Sequence, residues 1–203
     1  MNAEIVDIKL SDLESLTKVL VYRIRLSHFE PDIVIYLETG ARLLAAHFHK
    51  LTGISAAPLT IQRSGSSTKA HIVSVLCALP RFLQNLLRRI ERQFVSRGVN
   101  KRKIAKAPEV DLLGKKVLIL DDAADSGQSL LLARRWVLER GGAEENIRMA
   151  TIAVTQPEAE EIVDFWMYRQ LCRFPWSSDS REREEYLKLY AQIDPAKLAI
   201  SSF

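Results

Sequence analysis

Two adjacent carboxylates, Asp121 and Asp122, stand at the centre of the run Lys115-Lys116-Val117-Leu118-Ile119-Leu120-Asp121-Asp122-Ala123-Ala124-Asp125-Ser126-Gly127-Gln128-Ser129-Leu130. Neighbouring carboxylates can hold the cis hydroxyls of a ribose or a hydrated Mg²⁺. A third acid, Asp125, follows. Ser126, Gly127, Gln128 and Ser129 then offer successive backbone N–H groups and two hydroxyls, a combination suited to a phosphate at the start of a helix. A sugar diol beside a phosphate describes a phosphorylated ribose.

These residues need a strand before them and a helix after them. Val117 to Leu120 are four consecutive aliphatics without polar alternation, which predicts a parallel strand buried on both faces. The helical pattern that resumes after the loop runs to about Arg140. Asp121 and Asp122 then fall at the carboxyl end of the strand, where open α/β sheets bind their ligands. An apolar strand ending in Asp-Asp also opens receiver domains. A receiver needs a phosphoacceptor Asp on a later strand and a Lys beyond it, and nothing after Arg140 has that layout.

The four aliphatics, Asp121-Asp122, two small residues, Asp125, Ser126-Gly127 and Ser129 resemble the 5-phosphoribosyl-1-pyrophosphate (PRPP) motif of type I phosphoribosyltransferases. The usual motif has Thr at the place of Ser126 and often of Ser129, so the hydroxyls survive. The resemblance implies an open, mainly parallel twisted α/β sheet flanked by helices, with a small C-terminal hood. It implies that Asp121 and Asp122 hold ribose hydroxyls and Mg²⁺, and that the loop from Asp125 through Ser126, Gly127, Gln128 and Ser129 holds the 5-phosphate. Asp125 resembles the family's proton acceptor near the base.

Upstream, Ser11-Asp12-Leu13-Glu14 has capping-box spacing and opens an amphipathic helix to about Ser27. Ile33 to Leu37 read as a second buried strand, ending in Glu38-Thr39-Gly40-Ala41-Arg42 before a helix from Leu43 to Leu51. In position this resembles the family's pyrophosphate loop, which implies pyrophosphate roles for Glu38, Thr39, Gly40 and Arg42. Purine enzymes of the family commonly have a basic residue and two Gly there. Here Glu38 opposes pyrophosphate unless it points away or reaches Mg²⁺, and Arg42 could restore the missing positive charge. His47 and His49 point to different faces of their helix and do not have the spacing of a metal pair.

Ala57 to Gln62 form the next expected strand, entering the polar run Arg63 to Lys69, which matches the family's flexible loop over PRPP. A helical insertion follows. From Pro80, Phe82, Leu83, Leu86, Leu87, Ile90 and Phe94 make an apolar stripe backed by Arg88, Arg89 and Arg92. Its destination is its own domain, a second subunit or an anionic membrane surface, with a protein contact favoured over the membrane. Arg97 to Pro108, with Lys101, Arg102, Lys103 and Lys106, is basic and polar; it is expected to be disordered without ligand and is a candidate for the part that meets phosphates.

After Gly141-Gly142, Ile147 to Val154 read as one strand ending in Thr155-Gln156-Pro157. Aromatic residues cluster in Asp164 to Tyr168 and Arg173 to Trp176. The arrangement looks like that of xanthine and guanine phosphoribosyltransferases. The resemblance implies that Gln156, where those enzymes have Lys, and Trp176 contact the base, with residues 156–180 as the hood. Trp176 as core filler is the alternative. Arg181 to Tyr190 reads as a charged helix without visible function.

The 203 residues, 47% hydrophobic and 27% charged, suffice for one domain over 1–203 with one insertion over 63–108. A formal charge of +4 suits an enzyme for a polyanionic small ligand, and no aromatic-interleaved basic stretch points to nucleic acid. Cys77 and Cys172 lie in apolar contexts and are expected to be buried and reduced; with no signal-peptide pattern at Met1-Asn2-Ala3-Glu4-Ile5, the expected location is cytoplasmic. A homodimer is expected. The functional expectation is Mg²⁺-dependent transfer of phosphoribosyl from PRPP to a nitrogenous base, purine-like by preference. The alternative is a non-catalytic PRPP or nucleotide sensor on the same fold.

Overall fold

The computed structural model describes residues 5–38, 40–63 and 102–199. Thr39, the polar run 64–69 and the insertion helix expected from Pro80 lie outside the described residues, as does Cys77.

Among the described residues five strands make the central sheet: β2 (Ile33–Glu38), β3 (Ala56–Arg63), β4 (Arg102–Lys106), β5 (Val117–Leu120) and β7 (Ile147–Ala150). Their order is β4-β3-β2-β5-β7, parallel except for β4. Helices α1 (Leu10–Leu26) and α2 (Arg42–Thr52) cover one face and α3 (Gln128–Leu138) the other.

The aliphatic runs follow from this layering. In β2, Val34 and Tyr36 enter the core under α1 and α2, while Ile33, Ile35 and Leu37 enter the core under α3. Leu118 and Leu120 of β5 join the first core, Val117 and Ile119 the second. A strand buried on both faces needs an apolar residue at every position, and each such side chain contributes about 1.5–3 kcal/mol. The expected open, mainly parallel sheet flanked by helices is the one observed.

Three expectations are corrected. Helix α1 starts at Leu10, and its amino end is closed by Asp12 Oδ2, which accepts from the Lys9 N–H at 3.0 Å. The acid at the third helical position outcompetes the Ser11–Glu14 box, and Glu14 pairs with Lys18 at 2.9 Å instead. The basic segment Arg97 to Pro108 is not without structure, since Arg102–Lys106 form β4, antiparallel to β3 with a register shift at Thr60 and Ile61. Among the described strands β4 is an edge strand, which needs backbone pairing and one inward apolar residue, here Ile104, while Lys103 and Lys106 are exposed. The strand expected over Ile147 to Val154 breaks at Thr151 and Ile152 into β7 and β8 (Ala153–Val154), and β8 pairs in parallel with β6 (Ala123–Ala124).

The carboxyl-terminal part is anchored by a buried guanidinium. Strand β1 (Val6–Asp7) pairs with β9 (Cys172–Arg173), and Arg173 donates to Asp7 Oδ1 at 2.6 Å and to Asp179 Oδ2 at 2.9 Å. Glu182 Oε2 accepts from the Leu10 N–H at 2.6 Å. Helix α5 (Arg183–Gln192), after the short α4 (Pro157–Glu160), is thereby tied to the start of α1, and α6 (Pro195–Leu198) follows. Among the described residues no helix is long and apolar enough to cross a membrane.

Candidate active site

The sheet reverses its direction of growth between β2 and β5: the chain leaves β2 towards β3 and leaves β5 towards β7. Loops at the carboxyl ends of two such strands diverge and leave a crevice. Glu38 and Gly40 follow β2 on one side, and Asp121 to Ser129 follow β5 on the other. A cavity of about 750 Å³ opens there.

The acidic pair is held by its own backbone. The Asp121 N–H donates to Ala150 O at 3.0 Å, and Asp122 O accepts from Ile152 N at 3.0 Å. Asp121 Oδ1 accepts from the Asp122 N–H at 2.9 Å, and Asp122 Oδ1 from the Ala123 N–H at 2.8 Å. Burial and the adjacent Asp122 carboxylate hold Asp121 well above the ordinary carboxylate pKa. Two carboxylates this close favour a cation between them and a ligand. Among the described residues no cluster of three or more His, Cys, Asp or Glu could hold a metal by protein groups alone. A pair of hard oxygen donors fits Mg²⁺, which keeps waters and takes its remaining ligands from substrate phosphates.

Gly40 is required by this geometry. A Cβ on Gly40 would lie 2.3 Å from Asp122 Oδ2, so only a residue without a side chain lets the two loops approach. Beyond the acids, Asp125 Oδ1 accepts from Thr155 Oγ1 at 2.6 Å. Gly127 caps α3 with φ of 68°, and a Cβ there would meet Ile162 Cδ1 at 2.1 Å. The first N–H groups of α3 have no partners within the helix and are available to a ligand. Asp125, Gly127 and Ser129 line the cavity; Ser126 and the exposed Gln128 flank it.

The aromatic segment around Trp176 meets the acidic pair directly. Trp176 stacks on Phe174 with centroids 4.9 Å apart and planes 9° from parallel, and its Nε1 donates to Asp122 Oδ2 at 2.5 Å. Trp176 and Ser177 line the cavity. Gln156 is half-buried at the amino end of α4 and outside the lining, which its neighbour Thr155 joins instead.

Glu38 lines the cavity but Arg42 does not. Arg42 donates to Glu38 through Nε at 2.8 Å and Nη2 at 2.7 Å, and its guanidinium lies 4.0 Å over the Tyr190 ring. Tyr190 Oη donates to Glu38 Oε1 at 3.2 Å. The charge that Glu38 brings to the loop is balanced within the loop.

Residues that the sequence reading passed over also reach the site. Helix α5 supplies Tyr190 at the Glu38 loop and Tyr186 against Trp176, with centroids 5.2 Å apart. Two tyrosines four apart in an otherwise charged helix were a usable signal for a buried contact. From the basic segment expected to meet phosphates, Arg102 lines the cavity and donates from Nη1 to Ser129 Oγ at 2.9 Å. Cys172 is buried as expected, and desolvation, with Asp122 nearby, pushes its thiol up to about 12.

The fold is shared with several solved phosphoribosyltransferases. A purine phosphoribosyltransferase from Pyrococcus horikoshii Ot3 superposes with a TM-score of 0.59 at 19% identity, covering 85% of this chain and 93% of that one. The Helicobacter pylori xanthine-guanine-hypoxanthine phosphoribosyltransferase gives 0.61 at 13%, covering 92% and 99%. A hypothetical protein from Neisseria gonorrhoeae with bound ppGpp gives 0.62 at 16%, covering 95% and 98%. No curated protein matches the sequence. The family model for the phosphoribosyl transferase domain matches residues 10–181, and the chain belongs to that family.

Proposed function

We propose that this protein transfers the 5-phosphoribosyl group of PRPP to a ring nitrogen of a base, purine-like by preference, with release of pyrophosphate. The observation that carries the reading is the convergence of Asp121, Asp122, Asp125 and the start of α3 on one cavity at the carboxyl end of β5. Asp121 and Asp122 hold the ribose hydroxyls. The loop Asp125 to Ser129 takes the 5-phosphate on N–H groups and the Ser129 hydroxyl. Gly40, with Thr39 and Glu38, borders the pyrophosphate, and Arg42 acts there by neutralising Glu38. Mg²⁺ held by Asp121 and Asp122 would supply positive charge beside the pyrophosphate.

In the transfer, the bond from C1 of the ribose to the pyrophosphate oxygen breaks and its electron pair leaves with pyrophosphate. The lone pair of the base nitrogen forms the new bond to C1. The proton lost from the base passes to Asp125, whose carboxylate is oriented by Thr155. The protein's main contribution is to position the reactants and stabilise charge as it develops. Trp176 presents its ring to the base, and Gln156, which lies outside the cavity lining beside Thr155, would have to turn inward to read the base edge; an unchanged ranking of bases after Gln156→Lys would remove position 156 from that role. The reading places the protein in base salvage in the cytoplasm, acting as a homodimer without nucleic acid or membrane partners.

The test is pyrophosphate release from Mg²⁺-PRPP with a panel of purines, pyrimidines and other aromatic nitrogen bases. Release with a purine supports the reading, and its absence with every base contradicts it.

The Glu38–Arg42 pair favours a second reading. With its cation engaged by Glu38, the loop after β2 would bind a phosphorylated nucleotide without driving pyrophosphate out, as in a non-catalytic PRPP or nucleotide sensor. Binding of PRPP or ppGpp without turnover would select it.

A further inference from the structure

We infer that Arg102 is the cationic arm of the 5-phosphate subsite, acting from β4 across the cavity from the start of α3. The inference rests on the transferase reading above. Among the described residues that line the cavity, Asp121, Asp122 and Asp125 are carboxylates beside Glu38, which Arg42 already pairs, and Arg102 is the single cationic side chain. A phosphomonoester entering this field is repelled unless a cation stands beside its own subsite.

Geometry assigns that subsite to the Ser129 end. Arg102 Nη1 donates to Ser129 Oγ at 2.9 Å, whereas the Gly40 end of the cavity abuts Asp122. A hydroxyl that accepts from a guanidinium keeps its own O–H to donate, so Ser129 is oriented to give a hydrogen bond to a phosphate oxygen. The guanidinium fork carries five donors, and a phosphate beside Ser129 would receive N–H groups from Arg102 and from the first turn of α3 together. Pairing of Arg102 with Arg63 and of Lys103 with Gln62 fixes the Arg102 backbone on the sheet edge.

Calorimetric titration of the full chain separates the possibilities, with ribose 5-phosphate as the probe of this subsite and Mg²⁺-pyrophosphate as the probe of the other end. Arg102→Gln is expected to weaken ribose 5-phosphate by about tenfold to a hundredfold, the value of a charge-assisted hydrogen bond, and to weaken Mg²⁺-pyrophosphate far less, since Arg102 reaches Asp121 only through its charge. Arg102→Lys, which keeps the charge without the fork, should show a smaller loss on the same probe. It serves as the test should the Gln variant melt early by circular dichroism. If both variants bind ribose 5-phosphate as the wild type does, while the wild type binds Mg²⁺-PRPP, the assignment of Arg102 fails and the transferase reading stands. Equal weakening of both probes also overturns the assignment. A wild-type protein that does not bind Mg²⁺-PRPP overturns the reading and the inference together.

Discussion

Arg42 grips Glu38 with two parallel hydrogen bonds of 2.8 and 2.7 Å, so the acid that disturbs the expected pyrophosphate loop is already neutralised by a residue one helical turn away. Both side chains are largely buried, at 16% and 9% exposure. Removing either partner therefore has unequal consequences. Arg42→Met leaves a carboxylate unpaired and is expected to cost about 3 kcal/mol of stability. Glu38→Gln keeps an acceptor for Arg42 and is expected to cost about 1 kcal/mol. It also removes one negative charge from the cavity, so Mg²⁺-PRPP should bind more tightly. Urea melts and calorimetry read both effects, and equal destabilisation by the two substitutions would contradict the pairing.

The contact between Gly40 and Asp122 gives a second prediction. A methyl group at Gly40 would occupy the place of the Asp122 carboxylate, which must then turn away from the cavity and from Trp176 Nε1. Gly40→Ala is expected to lower kcat/KM by about a hundredfold, the order of loss for a catalytic group displaced by an ångström. The core beneath is unaffected, so the melting temperature should change little. Retained activity would mean that Asp122 does not need its observed position.

A third prediction concerns alkaline pH. Desolvation raises the pKa of Tyr36 and Tyr186, with Glu38 adding to it at Tyr36, and pushes the Cys172 thiol up to about 12. These groups hold their protons more tightly in the folded state than in the unfolded chain. Their contribution to stability is complete below the unfolded values and is lost as pH rises through about 9 to 10 and beyond. The unfolding free energy should fall between pH 8 and pH 10.5, and Tyr36→Phe should flatten that fall. A stability independent of pH in this window would contradict the burial of these groups.

How much of this was legible follows from where each signal resides. The run Val117 to Leu120 announced β5 because burial on both faces demands four apolar residues in a row. The same run located the acidic loop, since a ligand loop follows the carboxyl end of such a strand. Strand β4 was hidden because its stability comes from backbone pairing with β3, leaving Ile104 as its sole inward aliphatic. The Trp176–Asp122 hydrogen bond joins residues 54 apart and depends on Arg173 fixing the segment before it. The role of α5 was missed because a charged helix was read by its average character, while Tyr186 and Tyr190 alone make its contact with the site. The break at Thr151 is set by the second small sheet, and no local residue marks it.

The central claim is tested most directly by following pyrophosphate release from Mg²⁺-PRPP with a purine, for the wild type and for Asp121→Asn with Asp122→Asn. The account predicts steady release by the wild type and a fall of at least about a hundredfold in the double variant, with the fold intact by circular dichroism. Equal rates in the two proteins, or no release by the wild type with any base, would contradict it.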